Sequence, residues 1–206
     1  MNVHAKIKVP HPLRPAMPER RRFTADEVLA MEEAGILDPE EDVELLDGEI
    51  ITMAAKTSRH EDMRADLSQY FIDHISKDIR HAQEPAFYLS DHWEPEPDII
   101  LFPRPMKVSD VRGPDALLVV EVAVTSLSVD IKIKAPMYAA HGVREYWVVD
   151  GKRLVTHVHR EPGSEGYGSV QEVSAAQLLM PMLLPNLALQ LADLGFEPLQ
   201  DAEETP

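Results

Sequence analysis

The run ALLVVEVAV at residues 116–124 constrains the fold most strongly, because it is rich in valine and leucine and apolar on both faces except at Glu121. A continuous apolar run of this kind is typical of a central strand that other elements cover on both sides. A carboxylate inside such a strand is costly to bury unless it is paired or binds a metal ion. The run therefore predicts a sheet with a covered centre and marks Glu121 as a candidate functional residue.

Helical and strand patterns alternate along the rest of the chain. Apolar residues recur at three- and four-residue steps at Met63, Leu67 and Phe71, which is typical of an amphipathic helix. The pairs Asp47-Gly48 and Asp150-Gly151 favour hairpin turns. The patterns predict helices at about 24–34, 58–80 and 133–141, a hairpin at 42–53, strands at 98–102, 116–124, 145–150 and 153–160, and a loop tip at 163–168. This order predicts a single α/β (α+β) domain whose mixed sheet contains one helical crossover.

The two ends of the chain differ in pattern from its centre. Residues 1–18 contain four prolines and little apolar periodicity, which predicts a flexible arm, and residues 197–206 are expected to form a disordered tail. The domain is therefore expected to span residues 19–196, a normal size for one hydrophobic core. The sequence contains neither a membrane-spanning apolar run nor a signal-peptide core, and it has no cysteine. A cytoplasmic location without membrane contact is expected.

The charge balance limits the ways in which this chain can bind nucleic acid. Its 36 acidic residues outnumber its 20 basic ones, for a net charge of −16. Tight binding of duplex DNA normally uses a basic surface that displaces counterions. A local basic strip, a bridging metal ion or the basic cleft of an oligomer would be needed to compensate. The charge argues against tight nonspecific binding but leaves phosphodiester chemistry open.

Three charged residues follow one another in an order that suits metal-assisted chemistry. Asp98 follows Pro97 and opens one apolar run, Glu121 lies inside the next run, and Lys134 begins the helix after it. If the two runs are neighbouring strands, two carboxylates and an ammonium group converge, and such a set can hold a divalent cation and activate water beside a phosphate. Each residue also has an ordinary structural interpretation, as a strand cap, a buried ion pair or a solvated helix end.

Glu44 and His60 are weaker candidates for the same site. Glu44 lies in the predicted hairpin on the side opposite Val43 and Leu45, where it is either a third acid of the site or a surface residue. His60 opens the long helix and is either a cap or a group that binds phosphate or polarises water. Asp130 is interpreted as a hydrogen-bond acceptor in the turn before the next helix.

The order of these segments resembles the Uma-two family of endonucleases, a bacterial group within the PD-(D/E)xK nuclease superfamily. The resemblance rests on VELLDGEI, a helix opened by SRH, PEPDIILF, LLVVEVAVTSLSVDIKIKAPMYAAHGVREYWVVD and LLPNLALQLADL. It covers about residues 22–196 and is most specific between Glu121 and Asp150. It implies a restriction-endonuclease-like core, in which a mixed β-sheet is flanked by helices and the acids lie on adjacent strands.

The family motif maps onto this sequence with two departures. By resemblance, Asp98 matches the aspartate of the PD motif and Glu121 matches the second acid. Ala123 stands where the usual pattern has a lysine, and Lys134 matches the lysine that this family carries on the following helix. Val124 stands where a polar or acidic residue is common, so the accessory acid of that position is missing.

The resemblance also implies a cofactor, Mg²⁺ or Mn²⁺. The implied ligands are oxygen atoms of four residues: Asp98, Glu121, Glu44 and the Val122 backbone carbonyl. Lys134 would act with the metal to activate water, and Glu44 would either bind a second ion or orient that water. His60 matches the family histidine that opens the helix.

These implications describe a metal-dependent endonuclease that hydrolyses DNA phosphodiester bonds with a metal-activated water. DNA is the expected partner, and a homodimer is the expected assembly, since it is the commonest symmetric one. The first alternative is a nuclease-fold protein that no longer cleaves and instead binds nucleic acid or protein. The second is a structural domain in which Glu121 and Lys134 form a buried ion pair.

Overall fold

A computed structural model describes residues 20–38 and 40–199 of the chain. The helices are α1 (Ala25–Glu33), α2 (Ser58–His74), α3 (Leu127–Val129) and α4 (Ala135–Ala140), with a π-helical turn at Asp130–Lys134. The strands are β1 (Val43–Leu46), β2 (Glu49–Thr52), β3 (Ile79–Gln83), β4 (Ile99–Pro103), β5 (Leu118–Ala123), β6 (Glu145–Asp150), β7 (Val155–Gly163) and β8 (Gly166–Ser174).

Six of the strands form one mixed sheet in the order β3-β4-β5-β6-β7-β8, and β1 and β2 form a separate antiparallel ribbon. Within the large sheet only β5 and β6 are parallel, and the helical segment from α3 to α4 connects them. The predicted α/β class, with a mixed sheet flanked by helices, is confirmed. The prediction that the strands after Asp98 and around Glu121 are neighbours is confirmed as well, since Ile99 pairs with Val120.

Helices cover both faces of the sheet at its centre. Phe71 and other apolar residues of α2 pack with Val120 and Trp147 on one face. Tyr138 and other residues of α4 pack with Val119 on the opposite face. Every residue of β5 is buried as a result, which is the covered central strand that the apolar run predicts.

Two predicted boundaries are wrong. The long helix ends at His74 rather than near residue 80, because the chain turns extended at Ile75 and then forms β3, which pairs with β4. The predicted loop tip at 163–168 is mostly strand, since β7 runs to Gly163 and β8 starts at Gly166. Gly166 has a φ of 128°, a conformation open to glycine, and this allows the tight turn.

The crossover helix also begins earlier than the predicted residue 133. Helical structure starts at Leu127, and its second turn is a π-helix in which the Ala135 N–H donates to the Asp130 carbonyl five residues earlier. The widened turn precedes Pro136, which has no N–H to contribute to the helix. The π-helical turn ends at Lys134 and buries that residue.

The predicted flexible arm lies outside the described residues, as do residues 200–206 of the predicted tail. The first part of that tail is described, and the Leu199 N–H donates to the Lys152 carbonyl at 2.9 Å. The domain boundaries themselves stay predictions. None of the helices in the described ranges is long and apolar enough to cross a membrane.

Replacement of Gly113 by alanine is expected to lower the free energy of unfolding by about 1–3 kcal/mol, the usual cost of overpacking. Gly113 precedes β5, and a Cβ atom there would lie 1.9 Å from the carbonyl oxygen of His141 at the end of α4. Denaturant unfolding measures the change. Gly163→Ala is the matched control, because its new Cβ would only reach ordinary contact at 3.4 Å, and equal stability of the two variants would contradict the prediction.

Candidate active site

A pocket lies where the chain enters β4 and leaves β5. The segment 53–57 between β2 and α2 borders it on one side, and residues 124–126 after β5 border it on another. All five side chains predicted for the site line this pocket: Glu44, His60, Asp98, Glu121 and Lys134. Residues up to 90 positions apart in sequence are therefore brought together.

The Asp98 side chain is hydrogen-bonded to the edge of β5, at the point where the pairing of β5 with β4 has ended. The ladder between β4 and β5 ends at the pair Ile99–Val120. Beyond it, the Val122 N–H donates to Asp98 Oδ2 at 2.7 Å, and His60 Nε2 lies 3.1 Å from the same carboxylate. A side chain that accepts from a strand backbone and a helix residue is fixed in orientation.

The backbone carbonyl of Val122 points to the same edge. The N–H and C=O of one strand residue lie on the same side of the strand, and the Val122 N–H is directed to Asp98. The next carbonyl, of Ala123, points the other way and accepts from the Gly151 N–H at 2.8 Å. The Val122 carbonyl oxygen is thus directed to the same side of β5 as the Asp98 carboxylate, where it could bind a metal ion.

Glu121 extends from β5 into the pocket and accepts three hydrogen bonds. Its Oε1 accepts from Lys134 Nζ at 3.0 Å and from the Tyr138 hydroxyl at 3.3 Å. Its Oε2 accepts from the Asp98 N–H at 3.4 Å. Burial raises the pKa of Glu121 well above its ordinary value, although the Lys134 charge acts in the opposite direction.

Lys134 lies between the acids and is 2% exposed. Its Nζ is 2.8 Å from Glu44 Oε1, 3.0 Å from Glu121 Oε1 and 4.0 Å from Asp130 Oδ1. Burial acts to lower the pKa of Lys134, but the charges of Glu121 and Glu44 outweigh it and raise the pKa above its ordinary value. Lys134 is therefore a fixed positive charge at neutral pH.

Glu44 reaches the pocket from β1 and is buried, so the surface interpretation of this residue is wrong. One carboxylate oxygen, Oε1, accepts from Lys134. The other, Oε2, is buried and has no hydrogen-bond partner in the described part of the chain. An unpartnered buried carboxylate oxygen is costly, and it marks a position where a cation or a water molecule would be favourable.

His60 contacts Asp98 from the first turn of α2. Its backbone N–H donates to the Thr57 side chain that caps the helix, and this fixes the start of α2 beside β4. Burial acts to lower the pKa of His60, but the hydrogen bond and charge of Asp98 outweigh it and raise the pKa. The contact identifies His60 as a residue that positions Asp98.

Three further acids, Asp42, Asp130 and Glu96, line the pocket, and sequence reasoning placed none of them there. Asp130 accepts from the Ser126 hydroxyl at 2.5 Å, and burial raises its pKa to about 6. The four-residue spacing from Asp130 to Lys134 was an available signal. Burial and neighbouring carboxylates raise the pKa of Glu96 to about 7. Its spacing of two residues from Asp98 places both acids on one side of an extended segment.

Within residues 20–38 and 40–199, no group of three or more His, Asp or Glu side chains is arranged so that it could hold a metal ion. The implied set of Asp98, Glu121 and Glu44 is therefore not assembled as three side-chain ligands, because Glu44 and Glu121 both contact Lys134 instead. Asp98 and Glu121 do line the same pocket, where the Asp98 backbone N–H donates to Glu121 Oε2 and the Val122 N–H donates to the Asp98 carboxylate. The ion pair between Glu121 and Lys134, expected for a structural domain, is also present.

The fold is similar to that of a solved protein described as "a putative nuclease belonging to DUF820" from Anabaena variabilis. The two chains are 18% identical and superpose with a TM-score of 0.66, over 84% of this chain and 97% of the other. The type IIG restriction endonuclease BpuSI is 13% identical with a TM-score of 0.36, over 57% of this chain and 14% of that one, a likeness too weak to carry an argument. No curated protein matches the chain.

A family model described as "Uma2: Putative restriction endonuclease" matches residues 25–192. This range includes Asp98 and the strand β4 that follows it, β5 with Glu121, the π-helical turn with Lys134 and the start of α2. The solved protein from Anabaena variabilis shares the overall fold. The chain belongs to the Uma2 family of nuclease-fold proteins.

Proposed function

We propose that this protein is a metal-dependent endonuclease that hydrolyses phosphodiester bonds of DNA. The observation that carries the proposal is that the Asp98 and Glu121 side chains line one pocket, where the Asp98 backbone N–H donates to Glu121 and the buried ammonium group of Lys134 lies against Glu121. Two carboxylates and a fixed cation are the groups that phosphodiester hydrolysis needs around a reacting phosphate. Membership of the Uma2 family supports the same assignment.

The donor atoms fit Mg²⁺ or Mn²⁺. Asp98, Glu121 and the Val122 carbonyl offer only oxygen, which these hard cations prefer, and water would complete the coordination. The Oε2 of Glu44 is unpartnered, and burial, with a smaller contribution from the neighbouring carboxylates, raises the pKa of Glu121, so a cation in the pocket would be favourable. A bound divalent ion would supply an activated water and polarise the phosphoryl oxygen.

Residues of the chain would hold the metal ligands in position and stabilise the negative charge of the reacting phosphate. Val122 and His60 hold the Asp98 carboxylate at the pocket edge. Lys134, fixed between Glu44 and Glu121, would stabilise negative charge that develops on the phosphate as water attacks. Glu44 orients the ammonium group, and its second oxygen is placed to accept from a water molecule.

Purified protein is expected to nick or linearise plasmid DNA in Mn²⁺ or Mg²⁺ and to lose this activity in EDTA. Gel electrophoresis of supercoiled plasmid measures cleavage. Calorimetric titration with Mn²⁺ is expected to show a site that weakens markedly in Glu121→Gln, because the substitution removes a charged oxygen ligand but preserves side-chain shape. Glu172→Gln, an exposed carboxylate on β8, is the control. Cleavage that persists in EDTA would contradict metal dependence.

The net charge of −16 favours a second candidate, a nuclease-fold protein that binds a partner without cleaving DNA. The same plasmid assay separates the two functions, because a binding module would leave every DNA form intact in either metal. A homodimer would place two such sites on one duplex and allow double-strand cleavage. Light scattering of the purified protein tests that assembly.

A further inference from the structure

Two grooves on the described surface differ in charge. One groove, beside the site, is lined by seven carboxylates and a single cation, Lys56, which pairs with Asp42 and Glu84. The other groove lies between the end of α2 and the start of β3. Lys77, Arg80, Arg104 and His81 line it, and no carboxylate from the described residues does. We call this second groove the basic groove.

The cations of the basic groove are not paired with a carboxylate among the described residues, although the exposed Asp78 is next to Lys77 in the chain. Lys77, Arg80 and Arg104 form no ion pair with a described carboxylate, in contrast to Arg20, Lys56 and Arg64 elsewhere on the surface. The Arg104 guanidinium instead donates to the backbone carbonyls of Lys77 and Ile79, which hold it in place without reducing its charge. On a chain of net charge −16, three such cations in one groove attract anions locally.

The basic groove is connected to the candidate active site by two elements. Strand β4 lies between Asp98 at the site and Arg104 at the groove, and α2 carries both His60 at the site and Ile72 at the groove. Six residues of extended chain span about 20 Å at ~3.3 Å per residue. That span corresponds to about six nucleotides of one DNA strand at ~3.4 Å per nucleotide.

The surface between them does not repel phosphate. Strand β3 is an edge strand of the sheet, and from Arg80 it continues through His81, Ala82 and Gln83 without a carboxylate. The next residue, Glu84, is paired with both Lys56 and Arg64. A polyanion along β3 therefore meets cations or neutral groups from the basic groove to the pocket.

We propose that the basic groove binds the phosphate backbone of nucleic acid and holds the substrate about six nucleotides from the bond that is cut. The proposal rests on the proposed nuclease function for its substrate, but binding in the groove needs neither metal nor cleavage. The contacts are to phosphates, so the groove contributes affinity and register without sequence preference.

Fluorescence anisotropy with a short labelled DNA duplex in EDTA tests the proposal. The double variant Lys77→Gln/Arg80→Gln is expected to bind about tenfold more weakly. It is also expected to lower the slope of log affinity against log salt by about 2, since each lost phosphate contact changes it by ~0.9. Arg20→Gln/Lys107→Gln is the control, because it removes the same net charge at exposed positions outside the groove.

The outcomes separate this proposal from the proposed function. Equal affinity and salt slope for wild type and the groove variant, or no binding by wild type, would overturn the groove assignment even if plasmid is cleaved. Selective loss of binding in the groove variant supports the groove assignment even if neither protein cleaves DNA. Unfolding curves that match wild type show that neither substitution acts through folding.

Discussion

Replacement of Asp98 by asparagine is expected to slow metal-dependent DNA cleavage strongly while preserving the fold. Asparagine keeps an oxygen that can accept from the Val122 N–H, so the edge of β5 stays in place. The substitution removes the negative charge that would bind the cation, and the loss of one such electrostatic contact typically lowers turnover by about 10²–10³-fold. Time courses of plasmid cleavage at saturating Mn²⁺ measure the rate.

The same substitution has a second expected effect, on His60. The hydrogen bond and charge of Asp98 raise the pKa of His60 against the effect of burial. Without that charge the protonated imidazole loses its partner, so we expect the His60 pKa to fall. NMR titration of the imidazole resonances measures this shift in the absence of metal and DNA.

Asp66→Asn is the matched control for both effects, because Asp66 is exposed on α2 and outside the pocket. It should keep the cleavage rate and the His60 pKa of wild type. A wild-type cleavage rate in Asp98→Asn would show that Asp98 is not the metal ligand. An unchanged His60 pKa would show that the two side chains are not coupled.

The sequence predicts much of this site because Asp98 and Glu121 lie next to residues whose pattern is typical of β-strands. Pro97 and the apolar run after Asp98 locate the start of a strand, and the apolar residues around Glu121 locate its covered neighbour. Because these two strands follow each other in the chain, they are expected to be neighbours in the sheet. The position of Lys134 was predicted at a helix start, but the π-helical turn that directs it was not. A single i→i+5 turn leaves no periodic signal in so short a segment.

The burial of other charged residues could not be predicted from local pattern. Asp130 is buried and Glu96 half-buried although both lie in segments that look solvated in sequence, and they enter the pocket through packing between distant elements. The Lys134 contact with Glu44 joins residues 90 positions apart. Tertiary contacts of that range decide which polar residues are enclosed, and local propensity carries no information about them.

Replacement of Lys134 by methionine is expected to lower the free energy of unfolding by about 3–5 kcal/mol, the usual cost of removing one partner of a buried ion pair. Methionine approximates the length of the lysine stem, so the loss is chiefly electrostatic. Glu44 and Glu121 would stay buried at 2.8 Å and 3.0 Å from the lost ammonium position without a cation. Denaturant unfolding measures the change, and the exposed substitution Lys152→Met is the control.

The destabilisation should depend on pH in a defined direction. Burial already raises the folded-state pKa of Glu121, and the loss of Lys134 would raise it further. The folded variant then binds more protons than the unfolded chain, so its stability falls as pH rises from the ordinary glutamate pKa through the raised one. Below that window both states are protonated and the difference from wild type is smallest. A stability loss that grows toward acid pH would contradict this account.

The Lys134→Met variant also separates a metal site from a structural ion pair. If Glu121 is a ligand, the pocket that has lost its ammonium group is more negative and binds a divalent cation more strongly. Mn²⁺ should then raise the stability of Lys134→Met by more than that of wild type, because a ligand that binds only the folded state stabilises it.

The double variant Lys134→Met/Glu44→Gln should regain part of the stability without metal, since one unpaired charge is removed. A structural ion pair predicts the same rescue by Glu44→Gln but no effect of Mn²⁺ on either protein, so the response to metal decides between the two.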